Sequence, residues 1–127
     1  MKIWLDDQLD DPNTPTRHTP EGYIGVKRGE DFKKLITDAH TKNEPIEIIH
    51  LDNDLDEETE GYQLLEWLKD TYPEYVVGTT EIQVHSENNV RKKYMKQQLE
   101  WWRAHKEEIL EMKGREHPFG EMEPKIR

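Results

Sequence analysis

Residues 46–55, IEIIHLDNDL, decide how this chain is read. The apolar run over 46–51 is expected to be a buried strand whose carboxyl end emerges into solvent at Asp52 and Asp54. The opening residues 2–7, KIWLDD, repeat the pattern, with a strand over 2–5 followed by Asp6 and Asp7. A third apolar stretch over 81–84 delivers His85 and Ser86 at its end. Three strands thus finish in polar, chemistry-bearing residues.

Helical periodicity fills the intervals. Phe32, Leu35, Ile36 and Ala39 follow the acidic pair Glu30-Asp31, which suits the positive end of a helix dipole, and predict a helix over 31–41. Leu64, Leu65 and Leu68 predict a second helix, closed by Pro73. Val76 and Val77 read as a little extension before the third strand. From 90 to about 112 a long last helix is expected, with Met95, Leu99, Trp102 and Ile109 on one face. Residues 8–25 carry prolines, glycines and turn formers and read as a loop, enclosing a short strand near 23–26.

Strands alternating with helices imply right-handed crossovers and a mostly parallel sheet covered on both faces. The expected fold is therefore a receiver-like, Rossmannoid three-layer α/β sandwich with a long C-terminal helix. Residues 1–113 form the domain and 114–127 a loosely ordered tail. In such sheets ligands bind outside the carboxyl ends of the strands. That is where Asp6, Asp7, Asp52, Asn53, Asp54, His85 and Ser86 should converge.

Composition narrows the chemistry. The chain has 127 residues, 18 basic and 28 acidic, for a formal charge of -10. That balance argues against broad binding to nucleic acid or membrane surfaces. Cysteine is absent, which removes disulfides, thiolate zinc sites and a cysteine nucleophile. The charged opening and the lack of a long apolar run predict a soluble cytoplasmic protein. The sequence carries no Walker loop, dinucleotide glycine fingerprint, nucleophile elbow or HExxH motif.

Carboxylates gathered at one edge raise one another's pKa values unless a cation compensates them. Hard oxygen ligands select magnesium, calcium or manganese over zinc or copper, and magnesium commonly uses one or two carboxylates plus phosphate oxygens, which makes Mg2+, or Mn2+, the expected cofactor. Asp6, Asp7, Asp52 and Asp54 are the candidate metal ligands. The bland reading, strand-end aspartates that cap turns, fits any one of them better than it fits two pairs after two strands. His85 is a candidate acid or base, or a structural histidine. Ser86 and Asn88 suit either the N-cap of the last helix or a phosphate grip. Arg17, in the long loop, offers a bidentate phosphate contact if the loop folds over the site. Arg91, Lys92 and Lys93 read as a solvated helix face.

Taken in order, Trp4-Leu5-Asp6-Asp7, Leu51-Asp52-Asn53-Asp54-Leu55, Gly61-Tyr62, Trp67-Leu68, and His85-Ser86 with Asn88 and Met95 resemble the cyclic-phosphate processing receiver-like family. That family shows an LDD opening, an LDHDL block, a TGYD helix start and a VHSxN block. Residues 17–23, RHTPEGY, are similar to its RPxPEGW stretch. The resemblance implies a metal-dependent phosphoesterase acting on a cyclic phosphate of a nucleotide or RNA end, with Asp52, Asp54 and His85 as catalytic residues. Phosphate or substrate contacts would come from Arg17, Asn53, Ser86 and Asn88. Two departures stand out: Asn53 replaces the family's histidine, and Gln63 replaces the aspartate of TGYD. They keep open a module that binds a nucleotide or cyclic phosphate without turnover. A protein-interaction module, dimerising through the last helix and Trp101, is a further alternative. A phosphorelay receiver is disfavoured because no lysine follows the third strand in the place such domains use.

Overall fold

The computed structural model describes residues 1–9, 18–55 and 60–113. Its strands are β1 (Lys2–Leu5), β2 (Ile24–Val26), β3 (Ile48–Asp52) and β4 (Glu81–His85). The helices are α1 (Gly29–Thr41), α2 (Gly61–Thr71), α3 (Glu74–Val77), α4 (Asn89–Ala104) and α5 (Lys106–Glu111). All strand pairs are parallel, in the order β2-β1-β3-β4. The receiver-like α/β class with its parallel sheet is what the sequence led us to expect.

The connections explain where the layers lie. Helix α1 joins β2 to β3, and α2 with α3 joins β3 to β4, so both crossovers advance in one direction across the sheet. Right-handed crossovers of one direction fall on one face. Side chains agree: the Phe32 ring of α1 lies 6.4 Å from Trp67 of α2, and Arg103 Nε of α4 donates to the Val76 carbonyl of α3 at 3.0 Å. Ile3, Leu5, Ile49 and Leu51, on the inward-facing alternate positions, are fully buried beneath these helices with Leu64, Leu65, Met95 and Trp102. Each such aliphatic side chain contributes about 1.5–3 kcal/mol of transfer free energy.

The opposite face carries Lys2, Trp4, Ile48, His50, Glu81 and Gln83, all partly or fully exposed. The step from β1 back to β2 runs the other way across the sheet, and among the described residues it holds no helix. Among the described residues the third layer of the sandwich is loop. Leu9 and Thr19 fill the space above Gly25, where an added Cβ would fall on Thr19 Oγ1.

Two local expectations are corrected. Val76 and Val77 are helical, not extended: Pro73, at φ -58° and ψ -24°, starts the turn, and its carbonyl accepts from the N–H groups of both valines. The long last helix is broken at His105, whose ring nitrogen Nδ1 meets the Trp101 carbonyl at 2.8 Å. A side chain competing for the backbone ladder is a recognised cause of a helix break. The His105 ring then stacks on Trp101 at 3.9 Å. Met95, Leu99, Trp102 and Ile109 are nonetheless all buried on the expected face. The 114–127 tail lies outside the described residues.

Candidate functional site

Strand register assembles the acidic edge. Leu5 is the partner of Leu51, so Asp6, the next residue, comes level with Asp52 at the end of β3. Asp52 in turn is the partner of His85. Side-chain oxygens of Asp6, Asp7 and Asp52 all lie within 4.8 Å of one another. The backbone holds each strand end in place: Asp6 N–H donates to the Val26 carbonyl, and Asn53 N–H to that of His85 at 2.8 Å. Asp6 Oδ1 accepts from Gln8 N–H, and Asp52 Oδ1 from Asp54 N–H, both at 2.9 Å.

Burial is the first cause that raises the Asp52 carboxyl, to about 6. The hydrogen bond from the Asp54 backbone works against it, the negative charges of Asp6 and Asp54 add to it, and His85 lowers it. A divalent cation suits this donor set. Two oxygens on one ion stand at most about 4 Å apart for Mg2+ and about 5 Å for Ca2+, so three carboxylates within 4.8 Å of one another need only a small side-chain adjustment to converge on one ion.

The other expected residues are placed as follows. Asp54 falls outside that group: its Oδ1 accepts from Ser86 Oγ at 3.0 Å and its Oδ2 from Glu87 N–H at 2.7 Å. It ties the end of β3 to the loop after β4. Ser86 is buried and its Oγ also accepts from Asn88 N–H. Asn88 Oδ1 accepts from Arg91 N–H at 3.1 Å, so Asn88 is the N-cap of α4. Asn53 is 1% exposed, and its Oδ1 accepts from Tyr62 N–H at 2.9 Å, anchoring the start of α2. Gln63 Oε1 reaches back to Glu60 N–H at 2.8 Å, as in a capping box. Both departures from the family pattern therefore serve the first turn of α2. Arg17 lies outside the described residues.

Gly61 is what allows α2 to begin here. A Cβ at this position would lie 2.6 Å from Asn53 Cα and 2.9 Å from the Asp52 carbonyl carbon. Only glycine lets the helix start press onto the strand end that carries the acids.

Sequence reading missed a set of rings on the same face. Trp4 and His50 stack at 3.6 Å with planes 6° apart, Tyr23 stands edge-on to Trp4 at 5.5 Å, and His85 lies 6.2 Å from His50. The signal is present in period two, at Trp4 and Asp6 and at His50 and Asp52, but the parallel-sheet pattern predicts burial on both faces. Arg91, expected to be solvated, packs its guanidinium 4.1 Å over the Tyr62 ring at the start of α2.

A parallel α/β sheet with three clustered carboxylates at its carboxyl edge defines a receiver-like domain. The chain belongs to the cyclic-phosphate processing receiver domain family, whose model matches residues 1–101. The matched span includes β1 to β4 and most of α4, and so every described candidate site residue. Comparison with curated proteins and with solved structures gave no match. No helix among the described residues is long and apolar enough to cross a membrane.

Proposed function

We propose that this domain is a metal-dependent phosphoesterase that opens a cyclic phosphate of a nucleotide or RNA end, using Mg2+ or Mn2+. The observation that carries the reading is the clustering of Asp6, Asp7 and Asp52, with His85 paired to Asp52 across β3 and β4. These three carboxylates would hold the cation. When bound, the ion supplies charge neutralisation at the phosphoryl oxygens and lowers the cost of bringing an anion to an acidic edge. His85 donates a proton to the ring oxygen as its bond to phosphorus breaks. It regains one from the water that has added to phosphorus, leaving a phosphomonoester and a free hydroxyl. Asp54 acts indirectly, by fixing the Ser86-Glu87 loop behind His85.

A second reading is binding without turnover. It is favoured by Asn53, which stands where the family has histidine and spends its side-chain oxygen on Tyr62. Purified protein is incubated with a nucleoside 2′,3′-cyclic phosphate and the products are separated by chromatography. Phosphomonoester formation that disappears with chelator, Asp52→Ala and His85→Ala supports the esterase. Turnover untouched by all three removes it. Tight calorimetric binding with unchanged ligand supports the binder.

A further inference from the structure

We infer that the Trp4–His50 ring stack is the base-binding subsite for a free nucleoside cyclic phosphate. The inference rests on the cyclic-phosphate reading above and adds what the rest of the ligand must be.

Alternation puts Lys2, Trp4 and Asp6 on one face of β1, and Ile48, His50 and Asp52 on the same face of β3. The rings thus lie two residues back from the carboxylates, about 7 Å along the strands. A ligand phosphate at Asp6 and Asp52 leaves its base above this row. Among the described residues no helix lies over this face.

The stack also has a direction. Trp4 and His50 are register partners on neighbouring strands with rings 3.6 Å apart, so their stacking axis runs across the sheet toward β4. The β4 residue in register with His50 is Gln83, which is exposed and whose amide is drawn along its own strand to the Glu81 carboxylate. His85 stands further on, 6.2 Å from His50 and tilted by 27°, toward the acidic edge. A planar heterocycle laid on the β4 side of His50 continues the stack and keeps its phosphate beside His85. Tyr23, with Lys2 5.9 Å over its ring, backs the far end. Stacking of this kind tolerates any base, because every base has a π face.

Charge chooses between sources of the ligand. With a net charge of -10, and Glu81 on the same face, the surface disfavours a trailing phosphate backbone. The occupant is therefore a mononucleotide, not the end of an RNA chain.

The test uses the whole chain in Mg2+ and three ligands: a nucleoside 2′,3′-cyclic phosphate, glycerol cyclic phosphate, which has no base, and a short oligoribonucleotide ending in the same cyclic group. Affinity is read as Kd, or as KM where the ligand turns over. The nucleoside ligand is expected to bind about tenfold or more tightly than the base-free one, to move the His50 ring-proton resonances upfield, and to fall to the base-free level in His50→Ala. Should that variant not fold, the wild-type comparison and the His50 shifts decide. Equal binding of the nucleoside and base-free ligands overturns the subsite and leaves the phosphate site standing. Binding of neither overturns both readings, and tighter binding of the oligomer overturns the choice of a free nucleotide.

Discussion

The Asp54 carboxylate bonds to the Ser86 hydroxyl across 3.0 Å, joining the end of β3 to the turn before α4, while Asp52, two residues earlier, joins the carboxylates of Asp6 and Asp7. One short acidic block thus splits into a latch and a member of the carboxylate cluster. Asp54→Ala should lower stability by about 1–2 kcal/mol, seen as a drop in the urea midpoint, with Mg2+ affinity reduced little. Asp52→Ala should do the reverse and lose the Mg2+-dependent rise in Tm. Loss of cation binding in both variants alike would show that the split is not real.

Asp52 also sets a pH signature in metal-free protein. Burial, with Asp6 and Asp54 nearby, raises its carboxyl to about 6, above the roughly 3.9 of an unfolded chain. The folded state therefore binds this proton more tightly, so its contribution to stability is greatest below about pH 4, declines as pH rises toward about 6, and is flat above. Asp52→Asn, which keeps an oxygen for Asp54 N–H, should be more stable than wild type by about 2 kcal/mol at pH 8 in chelator. The gap should close near pH 4, and excess Mg2+ at pH 8 should reverse the order. Thermal melts in chelator that show no difference at pH 8 would contradict the assigned environment.

Gly61→Ala tests the approach of α2 to β3. The added methyl would meet the Asp52 carbonyl and Asn53 Cα, backbone atoms that cannot swing aside. A cost of about 1–3 kcal/mol is expected, together with weaker cation binding, because the displaced strand end carries Asp52. Hydrogen exchange should show the loss of protection centred on residues 52–53 and 61–65. Wild-type stability in this variant would mean that the helix start has room to move.

On the far side, Glu74 ties α3 to both α1 and the end of the described chain. His40 Nε2 lies 3.0 Å from its Oε1, and Lys113 Nζ donates to both oxygens at 2.9 and 3.2 Å. Burial opposes its charge, but the Lys113 hydrogen bond, a backbone hydrogen bond, and the charges of Lys113 and His40 hold its carboxyl below the ordinary value. This stabilisation is full above the unfolded pKa of about 4.5 and is lost as pH falls through the lower folded value. The pair is well exposed and screened, so Lys113→Ala should cost only about 0.5 kcal/mol at pH 7 and less at a pH below the ordinary value of 4.5. Equal losses at both values would assign the effect to packing on Tyr72.

The sequence by itself determined the elements and their polarity. Apolar runs ending in acids marked β1 and β3, 3.6-residue periodicity marked α1, α2 and α4, and alternation of the two types made the sheet parallel. It also named Asp6, Asp7 and Asp52, because strand ends in a parallel sheet must share one edge. What it could not divide was Asp52 from Asp54. Their difference lies in which way each carboxylate turns, and that is set by the Ser86-Glu87 turn, a partner more than thirty residues away. Nor could it place Asn53 and Gln63 at the start of α2, since both are ordinary polar residues until Gly61 brings the helix against the strand. The half-buried ring stack was hidden for the same reason. Whether Trp4 and His50 meet each other or a covering helix depends on crossover direction, and only the strand order β2-β1-β3-β4, with both helical crossovers running one way, keeps the described helices off that face.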